Sequence, residues 1–374
     1  MVDVAVIGAG LAGLTCAGQL DRAGYNTVVL EKSRGVGGRL ATRRVAGTRA
    51  DLGAPYLQEE GRLSSLLLRV LGNRRVLQPW TETVWQWNPD GSPQPEPPQP
   101  RYIAPSGMNA VGKFLAAGLE IWFDRRVCDV TLTKNHTWHL RLDAPRGSGD
   151  LPLELTAKAI VVAIPAPQAL PLLEPLRVSE LTQKVRSVEY DPGFAVIAGY
   201  APEKSEQLAE DRPWRAIRFP HHDALSWLGL DSSKRSPSSQ PIFVLHSSAE
   251  FARTNLESTD LEAVGQQLLD QAASLFLPEF ATPEFLQVHR WRYAFSRQSY
   301  PQDCLTVRLS LPLVCCGDWC GLNRIETALR SGLAAASALN SQLQNRSLFS
   351  AIDLFEAIAD NKLIADVYSV GRHE

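Results

Sequence analysis

Val2-Asp3-Val4-Ala5-Val6-Ile7-Gly8-Ala9-Gly10-Leu11-Ala12-Gly13 decides the fold. The first six residues are a short, mostly apolar run suited to a buried parallel strand, and Gly8 permits a tight turn into a helix. Gly10 lets backbone approach a diphosphate. Ala12 shares that first turn, and Gly13 lets a helix over residues 14–23 pack on the sheet. Such a helix start offers free N–H groups and the positive end of a dipole to an anion. Gly24 stops the helix, and Asn26-Thr27-Val28-Val29-Leu30 reads as a second strand. Glu31 at its end, with Lys32 beside it, is placed to accept the ribose hydroxyls of a dinucleotide.

A second site of this kind stands near the other end. Leu313-Val314-Cys315-Cys316 reads as a strand, Gly317-Asp318 turns off it, and Asn323-Arg324-Ile325-Glu326-Thr327-Ala328 opens a helix rich in small residues through Ala336. Matching sites so far apart predict one large cofactor, FAD, held by a discontinuous domain. Asp318 is placed to accept a hydrogen bond from the ribityl chain. N–H groups near Ile325 are placed to face the flavin N1–C2=O locus and to favour the anionic reduced flavin.

Between these ends, Ser33-Arg34-Gly35-Val36-Gly37-Gly38-Arg39-Leu40-Ala41-Thr42 resembles the second signature of the flavin amine oxidase superfamily, whose Gly-Gly-Arg loop lies along the diphosphate and flavin. Glycine allows close approach, and a guanidinium offers a planar, permanently charged fork to phosphate oxygens, so Gly38 and Arg39 join the expected cofactor contacts. The superfamily sets a segment similar to Ala50-Asp51-Leu52-Gly53-Ala54-Pro55-Tyr56 against the isoalloxazine ring, which adds Ala54, Pro55 and Tyr56. In this superfamily a strand such as the run from Ile121 to Val127 passes the adenine, which adds Val127.

The chain is further similar to renalase-like flavoproteins at Ile103-Ala104-Pro105-Ser106-Gly107-Met108, residues 161–168, Val244-Leu245-His246-Ser247-Ser248, Arg290-Trp291-Arg292-Tyr293 and Cys316-Gly317-Asp318. The resemblance covers residues 1 to about 345. It implies an α/β fold with a discontinuous, p-hydroxybenzoate hydroxylase-like FAD-binding domain of Rossmann type and an α+β substrate domain. It also implies non-covalent FAD and an oxidase that takes hydride from misreduced 2- or 6-dihydro isomers of NAD(P), returns NAD(P)+ and passes electrons to O2 to give H2O2. NAD(P) is then substrate or product. An amine oxidase or polyene desaturase on the same scaffold, or a flavin-binding protein without turnover, are the alternatives.

A misreduced dihydronicotinamide needs no catalytic base, because losing hydride restores its aromatic cation. The site must mainly hold the donor carbon about 3–3.5 Å from flavin N5. Tyr56, His246, Trp291 and Tyr293 are the expected substrate-facing residues, since a flat ring calls for aromatic walls and a few polar anchors. His246 and Trp291 have core packing as their alternative. Arg290, Arg292 and Arg297 are candidates for the substrate diphosphate, against a solvated charge run. Many amine-oxidising relatives place a lysine near the flavin; none lies between Lys234 and Lys362, although Lys184 could come close in the fold.

Length and composition agree. At 374 residues the chain exceeds one domain of about 100–200 residues, with 44% hydrophobic and 21% charged residues in ordinary globular balance. A net charge of −2 gives no reason to expect nucleic acid or an anionic membrane as partner. The first strand starts at Val2 and no run reaches the ~18 apolar residues of a membrane span, so a soluble, cytoplasmic protein is expected. Cys16, Cys128, Cys315, Cys316 and Cys320 read as reduced thiols, with no metal site. Nothing in the sequence sets the oligomeric state.

Proline marks the switches between domains. The proline-rich stretch 88–100 closes an excursion holding Trp80, Trp85 and Trp87, the last two alternating on a strand and reading as core. Pro165 ends a buried-strand pattern. The expected division is an FAD-binding domain over 1–75, 101–165 and 291–345, a substrate domain over 76–100 and 166–290, and a tail over 346–374. Helices are expected over 105–118 and 261–275, strands over 194–200 and 242–247, and a mobile loop over 231–240. A helical pattern in the tail runs through Leu354, Ile358 and Ile364.

Overall fold

Apolar residues at alternating positions build a parallel sheet buried on both faces. Its parallel strands are Val2–Ile7, Thr27–Leu30, Glu120–Trp122, Glu154–Val162 and Leu313–Cys315. The structure, a computed structural model, describes residues 1–143, 152–210, 213–235, 240–322 and 324–361. Val4, Val6, Val29, Val161 and Val314 face one layer, of helices Leu11–Arg22, Arg62–Asn73, Asn109–Leu115, Ile325–Gln342 and Ala351–Ala359. Ala5, Ile7, Val28, Ile160 and Cys315 face the other. That period of two is what a doubly covered strand requires.

Register fixes where ligands go. Ile7 pairs with Leu30 and Val162, Leu30 with Trp122, and Val162 with Cys315. All five strands therefore leave the sheet at one level, and the crevice outside their carboxyl ends is where such sheets bind ligands. Val127 begins the strand Val127–Leu132 on the far edge, paired antiparallel with Trp138–Leu142. It does not end the run from Ile121, because residues 123–126 cross the sheet's carboxyl edge between the two strands.

A second, largely antiparallel sheet has the order Phe285–Gln298, Glu189–Gly199, Ile242–Ser247, Leu225–Leu230, Ala216–Arg218, Trp85–Trp87, Pro93–Pro95. Phe243 and Leu245 face the helix Leu261–Leu275, while Ile242 and Val244 face the ribbon Thr42–Val45/Thr48–Asp51 of the first layer. Trp85 and Trp87 pack with the helix-side cluster as core side chains.

Several expected boundaries move. The strand Phe285–Gln298 is continuous in the second sheet, so a domain break between residues 290 and 291 would cut its hydrogen-bonded ladder. Helices Ala166–Leu173 and Ser179–Arg186 bury Ala169, Leu172, Leu181 and Val185 under the first sheet, which places residues 166–188 with that layer. Leu354, Phe355 and Ile358 of the tail helix bury against the first layer; Ile364 and Lys362 lie outside the described residues. The helix expected over 105–118 is Asn109–Leu115. Asp231–Lys234, expected as part of a mobile loop, is a turn with both end residues buried, and residues 236–239 lie outside the described residues.

Candidate active site

The turn after the first strand is shaped by missing side chains. Gly8 adopts φ +106°, and a Cβ there would lie 2.8 Å from the Ala163 carbonyl oxygen. At Gly13 a Cβ would lie 2.1 Å from the Gly8 oxygen. At Gly10, by contrast, it would meet nothing within 4 Å, so open space adjoins the start of helix Leu11–Arg22, whose N-cap makes no side-chain hydrogen bond. The loop 35–38 closes on this turn: Gly37 N–H donates to Ala9 O at 2.8 Å, and a Cβ on Gly38 would stand 3.5 Å from Gly10 Cα. Free N–H groups, a dipole end and open space suit a diphosphate.

Glu31 is buried, its Oε2 accepting from Ala9 N–H at 2.9 Å and its Oε1 from Ser33 N–H at 2.8 Å. Each oxygen retains a lone pair for a ribose hydroxyl. Lys32 instead turns its Nζ to Gln168 Oε1 at 3.1 Å on the surface. Arg125, which the sequence reading missed, is buried beside Glu31, its N–H donating to Glu31 O at 2.9 Å. Its Nη1 donates to Asp124 O at 3.0 Å, while Nη2 has no partner among the described residues. A buried donor left unpaired costs about 1–3 kcal/mol, so this group fits a bound ligand at the adenosine end. No motif surrounds Arg125 in sequence; only burial exposes it.

The flavin half follows from the second signature. Ala54 N–H donates to Arg39 O at 2.9 Å and Leu52 N–H to Ala41 O at 3.1 Å, which pins the segment before Pro55 against the Gly-Gly-Arg loop. Arg39 Nη2 reaches Asp318 Oδ1 at 2.6 Å. Gly317 N–H donates to Ser331 Oγ at 2.9 Å, on the helix Ile325–Gln342, whose N-cap Arg324 makes no side-chain cap bond. Asn323, expected in this helix start, lies outside the described residues. Taken together, the cradle at Gly10 and the orphaned Arg125 donor fit FAD, whereas the backbone N–H groups of Ile325 and Glu326 at the start of the second helix, expected to face the flavin, meet the Glu60 carboxylate.

Beside Pro55 and Tyr56 opens a cavity of ≈ 450 Å³ whose lining includes Trp227, His246 and Phe295 and the charged Glu60, Arg218 and Arg324. The Tyr56 and Trp227 rings are 5.7 Å apart at 51°. His246 faces this space because it shares the parity of Ile242 and Val244 on its strand. Its Nε2 is buried without a partner. Burial above all, with Lys234 nearby, pushes its pKa down to about 4, against a smaller contrary effect of the Leu52 backbone, so the ring is neutral at pH 7.

Of the four residues expected at the substrate, Tyr56 and His246 meet here, while Trp291 and Tyr293 lie elsewhere. Trp291 packs edge-on against His289 at 4.2 Å, and its Nε1 donates to Leu52 O at 3.3 Å, so it braces the flavin-facing segment from behind. Tyr293 packs against Tyr190 at 5.9 Å. Arg290 donates to the Leu256 and Ser258 carbonyls, and Arg292 and Arg297 form exposed pairs with Glu257 and Glu189, so these three do not reach the cavity. Trp227 and Phe295 supply the aromatic lining instead. Lys184 pairs with Glu180 at the surface.

Lys234 is buried between Asp51 and Asp231, at 3.1 and 2.5 Å. Arg235 completes the group, reaching Asp51 at 2.8 Å and Asp231 at 2.5 Å. Burial opposes ionisation of Asp51, but Lys234 and Arg235 outweigh it and hold its carboxyl below the usual range. All six cysteines are free thiols, and burial raises the pKa of Cys320 to about 12. Among the described residues no His, Cys, Asp and Glu group could hold a metal, and no helix is long and apolar enough to cross a membrane.

The sequence profile of the family described as flavin containing amine oxidoreductase matches residues 86–340, and that of an NAD(P)-binding Rossmann-like domain matches residues 6–69. AofH of Mycobacterium tuberculosis, described as a candidate flavin-containing monoamine oxidase, is 50% identical over 56 residues, 15% of this chain and 12% of that protein. The L-amino-acid oxidase of Echis ocellatus is 42% identical over 72 residues, 19% of this chain and 14% of that protein. The matches thus span about an eighth of these relatives' length. Cyclohexylamine oxidase from Brevibacterium oxydans superposes with a TM-score of 0.68 at 14% identity, over 92% of this chain and 99% of that one. Putrescine oxidase does so at 0.68 and 13%, over 91% and 99%. Likeness at this identity establishes the fold.

Proposed function

The chain belongs to the flavin-containing amine oxidoreductase family, and from that premise we propose that it is an FAD-dependent oxidase of misreduced dihydronicotinamides, a renalase-like activity. In this reading hydride leaves carbon 2 or 6 of a dihydro-NAD(P) isomer and NAD(P)+ is returned. Bound FAD supplies the two-electron acceptor, and O2 takes those electrons to give H2O2.

The observation that carries this reading is the neutral His246, its unpartnered Nε2 buried in a cavity walled by Tyr56 and Trp227. A flat ring lying against those aromatics satisfies Nε2 through a carboxamide hydrogen bond, and the reaction asks for no base stronger than this histidine. Trp291, through Leu52, and the bond from Ala54 to Arg39 keep the Pro55–Tyr56 face in place. Residues 1–75 and 101–165 with the helices around the parallel sheet then serve the cofactor, and the second sheet serves the substrate. Free thiols at Cys16, Cys315, Cys316 and Cys320 go with a reducing, cytoplasmic setting.

Amine oxidation is the second reading, favoured by the cyclohexylamine and putrescine oxidases that share the fold. The two lysines considered for it are engaged elsewhere, Lys234 by Asp51 and Asp231 and Lys184 by Glu180. Anaerobic stopped-flow mixing of the yellow holoenzyme with 2- and 6-dihydro-NAD(P), and with an amine panel, separates the two. Rapid bleaching by the dihydro isomers with NAD(P)+ as product is expected; bleaching by amines alone would move the assignment to amine oxidase.

A further inference from the structure

The cavity carries an excess of guanidinium groups that its flat walls do not explain. Arg218 comes from the second sheet, at the end of the strand Ala216–Arg218, half exposed and lining the cavity. Its Nε donates to Glu96 Oε1 at 2.6 Å, but Glu96 is shared: its Oε2 pairs with the buried Arg101 at 3.0 Å. Arg101 in turn lies 5.6 Å from the Tyr56 ring centroid. Arg324 comes from the first layer, exposed, immediately before the helix Ile325–Gln342, with no ion pair at contact distance among the described residues. The acidic residue of the lining is Glu60, whose carboxyl burial raises above the usual range while Arg324 and backbone N–H groups oppose the shift. The cavity lining thus holds two guanidiniums, Arg218 and Arg324, and one carboxylate, Glu60, while the Glu96 that pairs with Arg218 is shared with Arg101.

We propose that Arg218 and Arg324 together grip the phosphate attached to the nicotinamide ribose, so that the enzyme reads the nicotinamide mononucleotide half of its substrate and leaves the adenosine half in solvent. The proposal rests on the dihydronicotinamide reading above. At ≈ 450 Å³ the cavity lies toward the lower end of the roughly 300–1,000 Å³ of ligand pockets. The ring lies in the cavity against Tyr56, Trp227 and His246, and the two arginines, one from each layer, meet the first phosphate. Guanidinium forks suit phosphate oxygens in this way, and their charge stays constant across the working pH range. An ammonium substrate would gain nothing from them.

Titrating the oxidised holoenzyme with nicotinamide mononucleotide, nicotinamide riboside and NAD+, read by flavin absorbance perturbation and by calorimetry, tests this without turnover. The mononucleotide is expected to bind nearly as tightly as NAD+ and about tenfold or more tighter than the riboside, the scale of a charge-assisted hydrogen bond. Arg324→Gln and Arg218→Gln should each remove most of that advantage and leave riboside binding unchanged. Arg324, being exposed, keeps the test sound should Arg218→Gln disturb the Glu96–Arg101 pair. Equal binding of mononucleotide and riboside, or an advantage that survives both substitutions, overturns the proposal. If dihydro-NAD(P) still bleaches the flavin in that event, the clamp alone fails; if no nicotinamide ligand binds and the flavin stays yellow, the parent reading fails with it.

Discussion

Arg39 Nη2 and Asp318 Oδ1 stand 2.6 Å apart although 279 residues separate them in sequence. The pair joins the glycine loop after the second strand to the turn after the last parallel strand, and Arg39 Nη1 also donates to Ala294 O of the second sheet at 3.0 Å. Burial would lower the guanidinium's pKa; the Asp318 carboxylate, with Tyr190, outweighs it and holds the charge. One side chain therefore ties two distant turns of the first layer to the second sheet. Asp318→Asn keeps the shape and removes the charge, and should weaken FAD binding by about tenfold or more. Titration of apoprotein with FAD, followed by quenching of flavin fluorescence, measures this, and an unchanged Kd would remove Asp318 from the cofactor site.

Gly10 and Gly13 separate folding from cofactor binding. A Cβ at Gly13 would press to 2.1 Å on the Gly8 carbonyl, whereas one at Gly10 would meet only open space. Gly13→Ala should lower stability by about 1–3 kcal/mol or more, the usual range for overpacking, and lose FAD as well. Gly10→Ala should leave apoprotein unfolding unchanged and weaken FAD alone. Thermal melts of both apoproteins beside FAD titrations decide it; equal FAD affinity in Gly10→Ala would place the diphosphate elsewhere.

How far the sequence carried the reading depended on whether a residue's partner was local. Val2 to Glu31 is a continuous strand, turn, helix and strand whose geometry follows from neighbours in the chain, and the structure has those elements in that order. The same holds for the helix Leu261–Leu275 and the strand Ile242–Ser247, which lie where the local pattern puts them. Trp291 and Tyr293, expected at the substrate, have partners far away in the chain, Leu52 and Tyr190, which no local pattern announces. Trp227, Arg218 and Arg324 carried no motif; the second sheet and the last long helix bring them together from three places in the chain. Lys234 looked like a loop residue among serines, yet two aspartates, one of them 183 residues away, draw it inside.

His246 gives the protein an acid sensitivity of known sign. Its folded pKa is about 4 against the ordinary 6.5, so below pH 6.5 the unfolded chain takes a proton that the native ring refuses. Stability is therefore lost as pH falls from about 6.5 toward 4, by on the order of 3 kcal/mol for this group. His289, shifted the same way by burial and by Arg43, adds to the trend. Urea unfolding at a series of pH values should show a shallower slope in His246→Gln than in the parent protein. Identical slopes would mean that His246 is protonated in the native state, and would take the neutral ring out of the proposed site.

The buried group of Asp51, Asp231, Lys234 and Arg235 joins the flavin-facing segment to the second sheet through two positive and two negative charges. Asp51 spends its other oxygen on the first layer, accepting from Thr42 Oγ1 at 2.7 Å and Met108 N–H at 2.9 Å. Removing Lys234 leaves Arg235 alone against two buried carboxylates, so one negative charge goes uncompensated away from water, which costs up to about 3–5 kcal/mol, the scale of a broken buried pair. Lys234→Met should show a deficit of that size at pH 7. A lost packing contact would carry no pH dependence, whereas a lost charge partner does. In the parent protein the depressed pKa of Asp51 contributes stability above the carboxyl's unfolded value, and this is lost only as pH falls through the lower folded value. In the variant the stranded carboxyl protonates at higher pH and ceases to be a buried charge. The gap between the two proteins should therefore narrow as pH is lowered, as denaturant unfolding would read, while a gap of constant size would show that Lys234 stabilises by packing against Trp80, 5.5 Å from its ring centroid, rather than by charge.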